Sequence, residues 1–240
     1  MRITQLLLSI SILFMPSALA EVKIKGSVII YTGEITSEQT QKAIALFEQY
    51  QHKITEISMT SGGGNINAGM ELAEFILAHR LDVRIPSFCF SSCANYVFVA
   101  GKHKYIGDNA IIGWHGDAAS ARWRNSDIDA MVTHLKSGAK EKQWQEYRAY
   151  YDNVIEEAVK RETALYEKLH LDKNIMQIGL SGDLMKAIIS NRARGWSFNI
   201  EAMRELGVSG LPIDSTWSPK YHKNFPLIGV ESPLNTNDNG

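Results

Sequence analysis

The chain has 240 residues, of which 45% are hydrophobic and 21% charged, so it can bury a sizeable core and is not disordered. Its 25 basic and 26 acidic side chains nearly cancel, which gives no sign of binding to nucleic acid or anionic lipid. Length and composition therefore predict one α/β domain, alone or with a helical appendage.

Residues 1–20 have the pattern of a signal peptide. Arg2 gives a positive start, residues 6–15 are mostly apolar, and the segment ending at Ala20 has small residues typical of a cleavage site. The apolar run is too short to span a bilayer comfortably, and an uncleaved anchor is the alternative. We expect cleavage near Ala20 and export to a periplasm or secretion, which leaves a domain at 21–215 and an irregular tail at 216–240.

Strands and helices alternate after this segment. The patterns predict a strand at 22–31, a helix from Thr36 or Ser37 to about Tyr50, a strand at 54–59, a helix ending near His79, a strand at 81–88, a buried helix at 94–100, and short strands at 104–106 and 110–114. Such alternation favours a mainly parallel sheet covered on both faces.

Residues 120–170 have a different composition, rich in Glu, Lys, Arg, Ala and Gln. Aromatic and apolar residues recur there at helical spacing, which predicts a long helix at 141–170 and indicates a packing or subunit-contact surface. Asn199 can cap a short last helix at 200–206, closed by Gly207.

Three polar groups follow the apolar strands. Ser61 with the glycines 62–64 follows the strand at 54–59, the pair Ser91 and Ser92 follows the strand at 81–88, and His115 ends the segment at 110–114. The carboxyl ends of parallel strands are where α/β sheets gather their chemistry. A hydroxyl, an imidazole and bare backbone N–H groups are the components of a serine hydrolase.

Each of these groups also has a purely structural interpretation: a tight turn for the glycines, a helix cap for the serines, and packing for the histidine. In the functional interpretation Ser92 is the nucleophile, with Ser91 as its rival, and His115 is the base. The N–H of Cys93 supplies an oxyanion donor at a helix start. Trp114 would lower the pKa of His115 by desolvation.

Cys89 and Cys93 are the only cysteines and flank the serine pair. In an oxidising compartment they are a disulfide candidate, and the alternative is two small buried residues under the turn. The seven histidines show no metal-ligand spacing, so we predict no metal site.

The segments SGGGNINAGM at 61–70, FSSCANYVFVAG at 90–101 and AIIGWHG at 110–116 together resemble the Clp protease/crotonase superfamily, above all its peptidase branch. The resemblance covers about residues 25–116, with an echo in EAMRELGV near the end of the domain. It implies an α/β spiral of β-β-α units, ring-shaped homo-oligomers, and no cofactor. It matches Ser92 to the nucleophile, His115 to the base, and Gly64 with Cys93 to the oxyanion donors.

The chain departs from this family in three ways. Gly62 stands where a proline is common before the two glycines. Registration from the glycine segment needs a one-residue gap before the serine, which leaves Ser91 and Cys93 as competitors of Ser92. The position of the triad's acid falls near Arg194 and Gly195, neither of which can orient an imidazole, with Asp183 or Asn191 as substitutes.

Three functions follow as hypotheses. The first is an exported serine peptidase that cleaves peptides or unfolded proteins through an acyl-enzyme, with no ATPase partner because ATP is absent outside the cytoplasm. The second is a noncatalytic binding or assembly protein on the same scaffold. The third is a crotonase-type acyl-CoA enzyme, which the export signal disfavours.

Overall fold

The computed structural model describes residues 20–50 and 53–232, so the predicted signal peptide lies outside the described residues. The main sheet has five strands in the order β1-β2-β3-β4-β6. They are β1 (Glu21–Lys25), β2 (Val28–Thr32), β3 (Glu56–Thr60), β4 (Asp82–Ile85) and β6 (Lys104–Ile106). All neighbours pair in parallel except β1 and β2, which form an antiparallel hairpin.

Two smaller parallel pairs continue this sheet at one end. They are β5 (Phe88–Phe90) with β7 (Ile111–Gly113), and β8 (Trp196–Phe198) with β9 (Ile228–Val230). Single bridges join Ser61 to Cys89 and Trp114 to Trp196. The carboxyl end of β3 is therefore linked through β5, β7 and β8 to β9.

Helices cover the sheets. In chain order they are α1 (Ser37–Tyr50), α2 (Ile66–His79), a π-helix (Cys93–Phe98), a 3₁₀ turn (Ala119–Ala121), α3 (Asn125–Val132), α4 (Ser137–Leu169), α5 (Asn174–Gln177), a second 3₁₀ turn (Ile178–Leu180), α6 (Gly182–Ser190) and α7 (Ile200–Glu205). The predicted α/β class, with a mainly parallel sheet and a long helix, is confirmed.

Several helix starts agree with the sequence. The Thr36 hydroxyl accepts from the Gln39 N–H at 3.2 Å, and the Asn199 side chain accepts from the Ala202 N–H at 2.8 Å. These bonds satisfy N–H groups that have no partner inside the helix. Gly207 follows α7 with a φ of +90°, a conformation that favours glycine.

Three boundaries differ from the expectation. The strand expected at 22–31 is a hairpin, because Gly26 turns the chain with a φ of +62°. The strand expected at 81–88 is divided into β4 and β5, which lie in different sheets. The tail expected to be irregular from 216 contributes β9, which pairs with β8.

The long helix α4 lies on the core with its carboxyl half only. The buried residues there are Ile155, Ala158, Glu162, Leu165 and Tyr166. The aromatic side chains nearer its start form an outer cluster, in which Tyr151 stacks on Trp123 and Tyr150 is 62% exposed. Among the described residues no helix has the length and apolar character needed to cross a membrane.

Candidate active site

The three polar segments predicted from the sequence meet at the end of the linked strands. Ser61, which follows β3, pairs with Cys89 in β5, and Ser91 follows β5 directly. The Ser91 N–H donates to the Gly113 carbonyl at 3.1 Å, which fixes it beside β7. His115 comes two residues after β7. Sheet pairing thus brings together groups that are far apart in the sequence.

The hydroxyl that meets His115 belongs to Ser91. Its Oγ lies 2.7 Å from Nε2 of His115. Ser92, the expected partner, is 2% exposed, and its hydroxyl donates to the Gly64 carbonyl at 2.9 Å. The structure therefore corrects the expected contact by one residue and gives Ser92 a structural hydrogen bond.

Local backbone geometry explains this shift. Ser91 has a φ of +57°, a left-handed turn between β5 and the helix that directs its side chain toward β7. The following helix is a π-helix, whose i→i+5 bonds take up more residues per turn than an α-helix. Such bulges are often found at functional sites.

The environment of His115 favours its neutral form. The ring of Phe90 stacks on the imidazole with centroids 4.9 Å apart and 21° between the planes. The imidazole is still partly exposed, and burial of the rest lowers the pKa of His115 below its usual 6.5. The expected apolar wall is thus Phe90. Trp114 points into the core and packs on Phe198.

No acid stands behind the histidine among the residues that the structure describes. The expected position lies beside it but holds Gly195, where a Cβ would come 3.1 Å from the His115 Cβ and meet the Trp114 carbonyl. Asp183 pairs with Lys186 in α6. The second proposed substitute, Asn191, donates its side-chain amide to the Ala187 carbonyl at 2.8 Å. Neither substitute orients the imidazole.

Gly63 packs directly under the serine turn. A Cβ on Gly63 would lie 2.6 Å from the Cβ of Ser91 and 2.8 Å from the Phe90 carbonyl. Its φ is +95°. Close approach of two backbones is therefore the reason for glycine at this position.

Gly64 presents its own backbone groups to the serine side. Its neighbours bond to Ile35, through the Gly63 carbonyl and the Asn65 N–H at 2.8 Å each. Groups alternate along an extended chain, so the N–H and carbonyl of Gly64 point away from Ile35. The carbonyl accepts from Ser92, and in the described part of the chain the N–H has no acceptor.

The N–H groups of Ser92 and Cys93 also lie in this region. They open the π-helix, where the first N–H groups have no partner inside the helix. The positive end of the helix dipole faces the Ser91 turn. Cys93 lies two residues after Ser91, so the N–H directly after Ser91 is that of Ser92.

Cys89 and Cys93 form a disulfide that spans the serine turn. Both are fully buried. The bridge leaves the turn in a conformation in which Ser91 still meets His115, so it does not by itself favour an inactive site.

A buried polar cluster behind the pair was missed in the sequence. The carboxylate of Glu162 accepts from the Tyr96 hydroxyl at 2.7 Å and from the Ala118 N–H at 3.1 Å. Burial raises the pKa of Glu162. The available signal was a carboxylate within the apolar stripe of α4, at helical spacing from Ala158 and Leu165.

Metal-binding side chains do not gather near the pair. Within residues 20–50 and 53–232, no group of three or more His, Cys, Asp or Glu side chains could hold an ion. The groups that the structure brings together at the site are a hydroxyl, an imidazole and backbone N–H groups.

Comparison with known proteins adds little to this geometry. No protein-family model and no curated protein matches the chain. A protein of Streptomyces coelicolor A3(2) described as an enoyl-CoA hydratase is similar in structure with a TM-score of 0.31 and 9% identity, over 39% of this chain and 47% of that one. The chain thus spans less than half of that protein's length. The fold and site define an α/β protein with a serine–histidine pair at the ends of linked parallel strands.

Proposed function

We propose that this protein is a serine hydrolase that cleaves peptide bonds through an acyl-enzyme, with Ser91 as nucleophile and His115 as base. The observation that carries the proposal is the 2.7 Å contact between Ser91 Oγ and His115 Nε2. This is within the distance that proton transfer needs. The resemblance to the peptidase branch of the Clp/crotonase superfamily supports peptides as the substrate class.

The reaction uses one proton carrier. Ser91 Oγ attacks the peptide carbonyl while its proton moves to Nε2 of His115, which then gives that proton to the leaving amine as the C–N bond breaks. Water attacks the acyl group next, its proton passing through His115 to Ser91. These steps require that Nε2 of His115 starts unprotonated, and the lowered pKa of His115 favours that state at neutral pH.

The negative oxygen of the intermediate needs donors close to Ser91. The Gly64 N–H is one candidate because it points to the serine side without an acceptor among the described residues. With Ser91 as nucleophile, the adjacent donor becomes the Ser92 N–H in place of the expected Cys93. One such donor contributes about 3 kcal/mol to lowering the barrier.

The presence of Gly195 where a triad would have its acid lowers the rate of hydrolysis that we expect. Loss of the orienting acid in a full triad costs about 10⁴ in rate. Stacking on Phe90 restrains the His115 ring, but Phe90 cannot accept a hydrogen bond from the imidazole N–H as a carboxylate would. We therefore expect a slow hydrolase that acts as a dyad.

Export and assembly belong to the same proposal. A cleaved signal peptide would place the enzyme in a periplasm or outside the cell, without an ATP-driven unfoldase. Its substrates would then be short or unfolded chains. The family resemblance supports a homo-oligomer.

The missing acid also favours a second candidate, a noncatalytic binding protein on this scaffold. A fluorophosphonate probe distinguishes the two, because it labels an activated serine covalently. We expect the wild type to be labelled, Ser91→Ala to lose the label, and His115→Ala to label far more slowly. Ser92→Ala is the matched control and keeps a label on Ser91. An unlabelled wild type, or a label that stays in Ser91→Ala, would rule out the proposed enzyme.

A further inference from the structure

Asn95 connects the two halves of the serine–histidine pair. It lies in the π-helix, four residues after Ser91, and is 4% exposed. Its N–H donates to the Ser91 carbonyl at 2.8 Å. Its side-chain Nδ2 donates to the carbonyl of Gly116, also at 2.8 Å. One residue thus holds the backbone of the serine and the backbone next to His115.

Asn95 is itself held from behind. Its carbonyl accepts from the Tyr166 hydroxyl at 2.9 Å, and Tyr166 is buried in α4. The next residue, Tyr96, reaches Glu162 on the same helix, and Glu162 also binds the Ala118 N–H. The long helix therefore supports both the serine side and the histidine side of the site.

Stability alone does not explain an asparagine here. Since Gly116 offers a carbonyl, the atom facing it must be the donating Nδ2, and the Oδ1 is then buried. No donor among the described residues reaches that Oδ1. A buried acceptor without a partner destabilises the fold, and such local conflicts are expected at functional sites.

We propose that Asn95 is a positioning residue that sets the distance between Ser91 and His115 by tying the π-helix to the Gly116 carbonyl. This inference rests on the proposed function. With Gly195 at the place of an orienting acid, the described residues include no carboxylate that fixes the imidazole from its other side. The backbone tie through Asn95 then takes over a larger share of the alignment.

The test measures labelling by a fluorophosphonate in Asn95→Leu, which has the same number and branching of side-chain heavy atoms but lacks the side-chain donor. Saturation kinetics separate binding of the probe from the chemical step. We expect the chemical rate constant to fall at least tenfold while the probe's binding constant stays within twofold. The backbone bond to Ser91 remains in this variant.

The same substitution is then made in a His115→Ala background. An effect that acts through His115 disappears there, so the additional change should be less than twofold. A general structural weakening would lower the residual labelling in both backgrounds. Thr40→Val is the control, because it removes another buried side-chain bond, from Thr40 to the Ala68 carbonyl, in α1 away from the pair.

Thermal melting checks that each variant is folded. If Asn95→Leu fails to fold, Asn95→Asp replaces it, because it has the same shape and no donor when ionised; its labelling is measured at a pH high enough to ionise the carboxyl. Labelling at the wild-type rate, or an equal fall in both backgrounds, overturns the role of Asn95 while leaving the hydrolase intact. A wild type that is not labelled overturns both.

Discussion

Removing the disulfide should lower the stability of the fold and also slow the reaction of Ser91 with a fluorophosphonate probe. The two effects have different causes and are measured separately. In Cys89→Ala/Cys93→Ala the closed loop is lost, and the two cysteines are four residues apart in the sequence. Loop-closure entropy for so short a loop gives about 2 kcal/mol. For a domain of this size the melting temperature should then fall by roughly 4–8 °C.

The effect on chemistry follows from the backbone of Ser91. Its φ of +57° is a conformation that costs about 1–2 kcal/mol for a residue with a Cβ. The bonds from the Ser91 N–H to Gly113 and from the Asn95 N–H to Ser91 hold the turn together with the disulfide. If the disulfide is the restraint that keeps Ser91 at a positive φ, its removal lets the turn relax. The fraction of molecules in which Ser91 meets His115 then falls about 5–30-fold.

The assay is the rate of fluorophosphonate labelling in the double variant, with melting measured in parallel. Alkylation followed by mass spectrometry establishes that the wild-type cysteines are paired. The matched control is Ser92→Ala, which keeps the disulfide and Ser91. A double variant that melts several degrees lower but labels at the wild-type rate would refute the restraint on Ser91, because stability and alignment would then be independent.

Three further predictions concern other groups. Gly63→Ala should reduce labelling at least tenfold, because the new Cβ would collide with Ser91. Gly62→Ala is the control and should label normally, because no atom lies within 4 Å of a Cβ there, and equal rates in the two variants would contradict the close approach of Gly63 to Ser91. Labelling should fall as the pH drops through a pKa of His115 below 6.5, because the protonated ring accepts no proton, and a midpoint above 6.5 would argue against desolvation. The folded state holds the Glu162 proton more tightly than the unfolded state, so stability is lost as the pH rises from 4.5 through the raised pKa. Urea unfolding of Glu162→Gln should show an advantage over wild type that grows across this range, and a pH-independent difference would exclude the titration.

Local patterns in the sequence were enough to predict most helices and strands. The caps at Thr36 and Asn199 and the long helix follow from side chains within a few residues of one another. Patterns of this kind are local, so a single chain suffices to find them. The helices α3 and α6, the hairpin at Gly26 and the paired strands β8 and β9 were not predicted. A short β-branched run looks continuous in the sequence, and a pairing partner distant in the chain leaves no local pattern.

The sequence by itself determined that a serine pair, a glycine run and a histidine follow neighbouring strands, and that two cysteines flank the serines. Only the tertiary structure decided that Ser91 meets His115 and that Ser92 binds Gly64. The physical reason is the turn at Ser91, where a φ of +57° and the N–H bond to the Gly113 carbonyl place the Ser91 side chain beside His115. A backbone conformation and a bond to a distant strand leave no clear sequence signal. The tertiary structure likewise decided that Phe90 stacks on His115 and that Asn95 donates to the Gly116 carbonyl, because each contact joins residues more than twenty positions apart.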